Sequence, residues 1–145
     1  MTRRQEIVLA ALAPACGEAH SPVQVQKLLF MLDREVANRI DGPHFMFKPY
    51  NYGPFDKTVY AELEALAGEG HVEIVSLGNL QQFRLTPSGQ QIGNSVLTYL
   101  PLAARDYVQK ASAFVRRLSF ADLVSAIYKA YPDMKVNSGS TRGAR

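Results

Sequence analysis

The residues of this sequence that could bind a metal or act as a nucleophile are three histidines and one cysteine. His20, His44 and His71 are separated by 24 and 27 residues, and Cys16 is the single cysteine. No two of these residues lie at i, i+4 on a predicted helix, the spacing that is typical of paired zinc ligands, because Cys16 and His20 fall between the first two helices. Cys16 has no basic neighbour in sequence, so we expect an inert thiol that is buried or half-buried. The sequence therefore predicts no metal site and no cofactor.

Nucleophilic and phosphate-binding motifs give no better support for an enzyme. Ser88-Gly89 does not form the Gly-x-Ser-x-Gly pattern of a nucleophile elbow. The ten glycines are dispersed at predicted helix ends and turns and do not form a phosphate-binding loop. We therefore predict no catalytic residue and no enzymatic activity. A single cysteine also excludes an internal disulfide and is typical of a protein of the reducing cytoplasm.

An aromatic segment, residues 44–55, differs most from the rest of the chain. It contains five of the 14 aromatic residues in 12 positions, together with two prolines and a glycine. Tyrosine and phenylalanine are enriched at protein interfaces because they offer a large contact area at low entropic cost. Phe45, Phe47 and Phe55 fit equally well as core residues beneath an ordered loop. The predicted partner-binding residues are Phe47, Tyr50, Tyr52, Gly53, Pro54, Phe55 and Tyr60.

Capping residues and apolar spacing predict the elements that position this segment. Ser21-Pro22 with Gln24 predicts a capped helix over 22–39, and Asp56 is placed to cap a third helix over 56–67. Between them, Phe45 and Phe47 share one face of a predicted strand over 44–48, followed by an ordered loop. Further helices are predicted after Thr2, after Thr86, over about 104–118 and after Ser119, with a hairpin over 71–86 that turns at Gly78-Asn79.

These elements predict a mainly α protein with a small β-hairpin, which places it in the α+β class. Three helices followed by a two-stranded wing form a winged-helix-like core, in which helix 56–67 occupies the place of the recognition helix. We expect one compact domain over 1–133, because 145 residues suit a single core. Residues 134–145 are predicted to form a disordered basic tail.

The charge distribution argues against recognition of DNA by the third helix. The net charge of +3 resides in the predicted tail, which has three basic residues and no acid, so residues 1–133 are neutral. Residues 56–67 have a net charge of −2, and the acidic excess grows to −4 by residue 75. Phosphate repels such a surface, and phosphate attraction supplies most non-specific affinity for DNA. Binding of nucleic acid through other faces stays open.

Two short motifs resemble the Panacea domain of the SocA-like antitoxin family. Gln26-Lys27-Leu28-Leu29-Phe30 is similar to its QKLLY-type helix, and Tyr52-Gly53-Pro54-Phe55 with Val59-Tyr60 is similar to its YGP…VY segment. The resemblance covers about residues 20–75 and departs from the commoner pattern at Met31-Leu32-Asp33. It implies a compact, mostly helical, non-enzymatic protein that neutralises a toxin by binding it, in a phage or mobile-element context.

The leading hypothesis is therefore a protein-binding module of the antitoxin type with a toxin-like partner. The alternative is a winged-helix transcriptional regulator that binds DNA. Neither hypothesis requires a membrane, and the sequence leaves open whether the chain forms a homo-oligomer.

Overall fold

The computed structural model describes residues 1–136. In this part of the chain, six α-helices are accompanied by two antiparallel hairpins, in agreement with the predicted α+β class. The predicted tail residues 137–145 lie outside the described residues. The helices are α1 (Arg3–Leu12), α2 (Pro22–Glu35), α3 (Thr58–Gly68), α4 (Pro87–Tyr99), α5 (Leu102–Arg117) and α6 (Phe120–Ala130), and the strands are β1 (Lys48–Tyr50), β2 (Gly53–Phe55), β3 (Val72–Leu77) and β4 (Leu80–Leu85).

The predicted starts of α1, α2, α4 and α6 are confirmed, because each depends on a capping side chain close in sequence. Ser21 accepts a hydrogen bond from the Gln24 N–H, while the Gln24 side chain accepts one from the Ser21 N–H. The same reciprocal capping box joins Thr2 and Gln5 at the start of α1. Single hydroxyl caps precede α4 and α6. Each cap satisfies amide groups that the first helical turn leaves without a partner.

One hydrophobic core extends through all six helices and the β3–β4 hairpin. Helix α2 lies at its centre, and all eight residues from Val25 to Leu32 are buried. Helix α1 packs against α4, and α2 packs against α5. No helix in residues 1–136 is both long enough and apolar enough to cross a membrane.

The β3–β4 hairpin forms the wing, with Val72 opposite Leu85 and the turn at Gly78-Asn79 as predicted. The segment between α1 and α2 joins this wing through His20. The His20 N–H donates to the Phe83 carbonyl at 2.8 Å, and the Phe83 N–H donates to the His20 carbonyl at 2.9 Å. The order of three helices followed by a wing is therefore present, as predicted.

Two predicted boundaries near the aromatic segment are wrong. Helix α2 ends at Glu35 instead of residue 39, and Ala37–Arg39 form a separate 3-10 turn. Residues 44–47 are not a strand, because side chains take the hydrogen bonds that a neighbouring strand would supply. The Asp33 carboxylate accepts the N–H groups of His44 and Phe45, each at 2.8 Å. Burial raises the pKa of Asp33 even though these two hydrogen bonds oppose the shift.

Two further expectations differ from the structure. Residues 134–136 were assigned to the tail, yet Met134 packs against the core in a 3-10 turn and Lys135 forms a bridge with Tyr50. The thiol of Cys16 is exposed, contrary to the expectation that it is buried or half-buried. The physical reason is local, since Cys16 ends a 3-10 turn in a left-handed conformation with φ of 53°.

Candidate functional site

The aromatic segment folds as a second antiparallel hairpin, β1–β2, where the sequence predicted an ordered loop. Lys48 lies opposite Phe55, and Tyr50 lies opposite Gly53. Gly53 has φ of +108°, a conformation that side chains rarely adopt. The hairpin therefore depends on glycine at the first residue of β2.

The base of this hairpin is fixed to α2 by the side chain of Gln26. Its amide donates to the Asp56 carbonyl and accepts from the Asp56 N–H, both at 3.0 Å, so it pairs with the backbone as a neighbouring strand would. Asp56 is not the N-cap residue of α3 as predicted, because the helix begins at Thr58 after Lys57. The Asp56 carboxylate instead fixes the segment before the helix by accepting the N–H groups of Thr58 and Met46 at 2.8 Å. Burial opposes ionisation, but these hydrogen bonds hold the pKa of Asp56 below its usual value.

The tip of the hairpin is held by the C-terminal part of the described chain. The Tyr128 hydroxyl of α6 donates to the Asn51 carbonyl at 3.0 Å. Lys135 forms a parallel bridge with Tyr50, and its Nζ lies 5.6 Å from the centre of the Tyr128 ring. The hairpin is thus a positioned element, supported from α2 at its base and from α6 at its tip.

An apolar concavity of about 540 Å³, the aromatic groove, lies between this hairpin, the start of α2 and the start of α6. Four large apolar side chains on its walls are more than half exposed, namely Tyr50, Tyr52, Leu80 and Phe120. Its lining consists of Ser21, Pro22, Val23, Gln24, Gln26, Lys27, Tyr50, Tyr52, Gly53, Phe55, Tyr60, Leu80, Leu118, Phe120 and Leu123. An exposed apolar surface bounded in this way is typical of an interaction site.

Ring contacts connect the walls of the groove to the core. The Tyr52 ring meets Phe120 edge to face, with the ring centres 5.2 Å apart. On the other wall, Tyr50 stacks on Phe55 at 5.0 Å, and Phe55 in turn lies 5.9 Å from Tyr60. Each such pair contributes stabilisation beyond its buried area. These contacts hold the exposed tyrosines in place, which lowers the entropic cost of binding a ligand there.

Among residues 1–136, Lys27 is the only lysine or arginine that lines the groove, and it is 3% exposed. Its side chain passes beside Gly53, where a Cβ atom would lie 3.2 Å from Cε and 3.4 Å from Nζ. Burial lowers the pKa of Lys27 to about 8. The groove therefore combines aromatic walls with a single buried amine.

Five of the seven predicted partner-binding residues line this groove: Tyr50, Tyr52, Gly53, Phe55 and Tyr60. The other two do not. Phe47 lies edge to face on Phe30, with ring centres 5.7 Å apart, and packs against the core. Pro54 is buried within β2. Of the three phenylalanines that fit the core in the sequence, Phe45 is buried in it, Phe47 packs against it half-buried, and Phe55 lines the groove, while the two tyrosines are at the surface.

Sequence reasoning missed Lys27, Leu80 and Phe120 as groove residues. Leu80 follows the predicted wing turn, and Phe120 follows the predicted cap of the last helix, so both were interpreted only as parts of elements. A signal for Lys27 was present, because it directly precedes the apolar run from Leu28 to Leu32. A lysine is almost never fully buried unless it is paired, so this position could have been noticed.

The three histidines lie in three different parts of the structure. His20 is buried beside the wing, His44 lies near Asp33, and Nδ1 of His71 is 2.9 Å from the Ser88 hydroxyl. Within residues 1–136, no three histidine, cysteine or acidic side chains are grouped as metal ligands would be.

A second concavity lies on the opposite side of the hairpin. It has a volume of about 760 Å³ and includes Arg4, Lys48 and Lys57 in its lining. Arg4 is already engaged, because its guanidinium pairs with Glu62 at 3.1 Å and lies 5.0 Å from the centre of the Phe45 ring. The aromatic groove is the stronger candidate because it exposes four large apolar side chains, whereas Arg4 of the second concavity is already paired.

Substitution of Gly53 tests the geometry of the hairpin. Gly53→Ala is expected to lower the free energy of unfolding by about 1–3 kcal/mol, because alanine is strained at this φ. The new Cβ would also crowd Lys27. Gly70→Ala is the matched control, because Gly70 has φ of +83° but open space around its Cβ position. Urea unfolding of both variants separates backbone strain from crowding, and an unchanged Gly53→Ala protein would contradict the hairpin geometry.

Comparison with protein-family models, with curated proteins and with solved structures finds no match to this chain.

Proposed function

We propose that this protein is a non-enzymatic binding module of the antitoxin type, which neutralises a toxin-like partner in the cytoplasm by direct contact. The aromatic groove with its exposed rim carries the proposal. Tyr50, Tyr52, Leu80 and Phe120 come from three separate segments and expose their apolar surface around one concavity. Tyrosine and phenylalanine at such positions are typical binding hot spots.

The resemblance to the Panacea domain supports the same proposal. Its two motifs are 20 or more residues apart in sequence and meet at this site. Gln26 of the first motif holds the Asp56 backbone, and Lys27 lies against Gly53 of the second. Both motifs therefore contribute residues to the lining of the groove, namely Gln26, Lys27, Tyr52, Gly53, Phe55 and Tyr60.

Charge disfavours the alternative of a DNA-binding winged helix. Helix α3 contains Glu62 and Glu64 and no lysine or arginine between Thr58 and Gly68. In the wing, Arg84 is paired with Glu73, with the nearest nitrogen and oxygen 2.6 Å apart. Both surfaces offer little attraction for phosphate.

Co-expression with the product of the neighbouring gene tests the proposal directly. We expect the two proteins to purify as a complex and the growth defect caused by the neighbouring protein to be relieved. Absence of both effects would overturn the antitoxin function. Duplex DNA binding that weakens steeply as salt is added would favour the transcriptional regulator instead.

Removal of the exposed tyrosine rings should weaken the complex more than it weakens the fold. Tyr50→Ala and Tyr52→Ala are each expected to reduce partner affinity by about 2 kcal/mol, the scale of a hot-spot residue. The melting temperature should change little, because both rings are more than half exposed. Titration calorimetry and thermal melts measure the two quantities.

Tyr99→Ala provides the matched control, because Tyr99 is 86% exposed and belongs to α4, away from the groove. It should alter neither affinity nor melting temperature. If the Tyr50 and Tyr52 variants lost stability but kept their affinity, the tyrosines would be structural and the docking surface would lie elsewhere.

A further inference from the structure

Lys27 is a buried cation that lacks an anionic partner in the described part of the chain. Its side chain is 3% exposed, its Nζ is not fully enclosed, and no ion pair or hydrogen bond joins Nζ to another group within residues 1–136. The fall of its pKa to about 8 has burial as its cause, with no neighbouring acid to oppose it. At pH 7 the amine is therefore mostly protonated.

Such an arrangement is costly for the protein. A buried ammonium loses hydration, and burial is normally tolerated only where a counter-charge and hydrogen bonds replace the water. The Gln26 side chain, which also lines the groove, is a neutral amide that pairs with the backbone of Asp56 and supplies no counter-charge. An anion beside Lys27 would supply the counter-charge. It could reach Lys27 through the groove, because Lys27 is one of the lining residues.

We propose that the aromatic groove binds a small monocarboxylate with an aryl or alkyl body, its carboxylate paired with Nζ of Lys27. The groove volume of about 540 Å³ is in the range of about 300–1,000 Å³ found for small-molecule sites. The apolar body would lie against the rings of Tyr52, Phe55 and Phe120. This proposal goes beyond the binding of a protein partner and does not depend on it.

The charge of the groove favours a carboxylate over a phosphate. Lys27 is the only cationic side chain that the described part of the chain contributes to the lining, and most of the remaining lining is aliphatic or aromatic. A monoanion is neutralised by one ammonium, whereas a dianion would leave a charge unpaired in an apolar site. A charge-assisted hydrogen bond to Nζ would also be stronger than a neutral one.

The test compares two ligands of nearly equal shape, 4-phenylbutyrate and its uncharged amide 4-phenylbutyramide. Each ligand is titrated at pH 7 and its binding is monitored by ¹H–¹⁵N NMR. The acid should bind at least about tenfold more tightly than the amide, a difference in binding free energy of about 1.4 kcal/mol. The amide signal of Gly53 should shift on binding, because Gly53 lies against Lys27. Equal affinity for the two ligands, or no saturable binding of the acid at millimolar concentration, would overturn the proposal.

Two lysine variants test whether the preference for the acid depends on Lys27. Lys27→Met should remove the preference for the acid while the protein stays folded, because methionine fills the site without a buried charge. Lys57→Met is the matched control, because Lys57 is exposed and lines the opposite concavity, so the preference should remain. A preference that survives in Lys27→Met would exclude Lys27 as the anion site. Should Lys27→Met not fold, the wild-type comparison of the two ligands still decides the proposal.

Failure of this proposal is distinguishable from failure of the antitoxin function. Co-purification with the neighbouring gene product does not require the small ligand, and the ligand titration does not require the partner.

Discussion

Gly89→Ala is expected to destabilise the protein by more than about 4 kcal/mol, at the severe end of single substitutions. A Cβ atom at Gly89 would lie 1.9 Å from the carbonyl oxygen of His71, far inside van der Waals contact. That oxygen cannot withdraw freely, because it accepts the Thr86 N–H at 3.2 Å. The Thr86 hydroxyl in turn caps α4 through the Gly89 N–H. A backbone shift that relieves the clash would therefore break the hydrogen bonds that connect the wing to α4.

Urea unfolding of Gly89→Ala and Gly68→Ala measures this effect. Gly68 is the last residue of α3 and has open space around its Cβ position, so alanine there should be neutral or slightly stabilising. A loss of less than about 1 kcal/mol in Gly89→Ala would show that α4 does not approach His71 as closely as the structure has it.

Acidification is expected to destabilise the protein through His20, by up to about 3 kcal/mol between pH 6.5 and pH 4. Burial, assisted by the positive charge of Arg116, lowers the pKa of His20 from 6.5 to about 4. Neither ring nitrogen has a hydrogen-bond partner within the described residues. The imidazolium is therefore disfavoured in the folded protein.

The direction of this pH effect on stability follows from proton binding at His20. Between pH 4 and pH 6.5 the unfolded chain binds a proton at His20 more readily than the folded protein does. The contribution to stability is complete above pH 6.5 and is lost as the pH falls toward 4. Carboxylates also make the free energy of unfolding depend on pH. The difference in this free energy between wild type and a His20 variant therefore isolates the contribution of His20.

His20→Leu supplies that comparison. The variant should unfold with a weaker dependence on pH between 6.5 and 4, because leucine does not titrate. At pH 8 it should be at least as stable as wild type, provided that leucine fills the volume of the ring. Denaturant unfolding at several pH values measures both quantities, and parallel curves for the two proteins would contradict the burial of an uncharged His20.

The helix starts and the wing could be predicted because their causes lie within a few residues. The capping box of Ser21 and Gln24 joins residues three apart, and the turn at Gly78-Asn79 depends on its own backbone preference. The end of α2 was less predictable. Apolar spacing continues to Ile40, which is buried, although the helix ends at Glu35. Spacing alone does not distinguish an α-helix from a helix followed by a 3-10 turn.

The aromatic segment could not be predicted in detail, because its backbone partners are distant in sequence. Asp33, which belongs to α2, accepts hydrogen bonds from the N–H groups of His44 and Phe45. These N–H groups are then not available for pairing with a neighbouring strand. Gln26 fixes the end of the hairpin from 30 residues away. Such side-chain contacts across the core have no signature in local periodicity.

Composition by itself determined that residues 44–55 are unusual and that their tyrosines are candidates for a surface. It also located the basic excess outside residues 1–133 and left the third helix acidic. Only the tertiary structure decided that Phe47 belongs to the core and that Lys27, Leu80 and Phe120 complete the groove. The physical reason is that exposure and charge pairing depend on which segments converge. Local sequence does not decide whether Lys27 has a counter-charge, and within residues 1–136 it is a buried cation without one because Gly53 of the hairpin packs against its side chain.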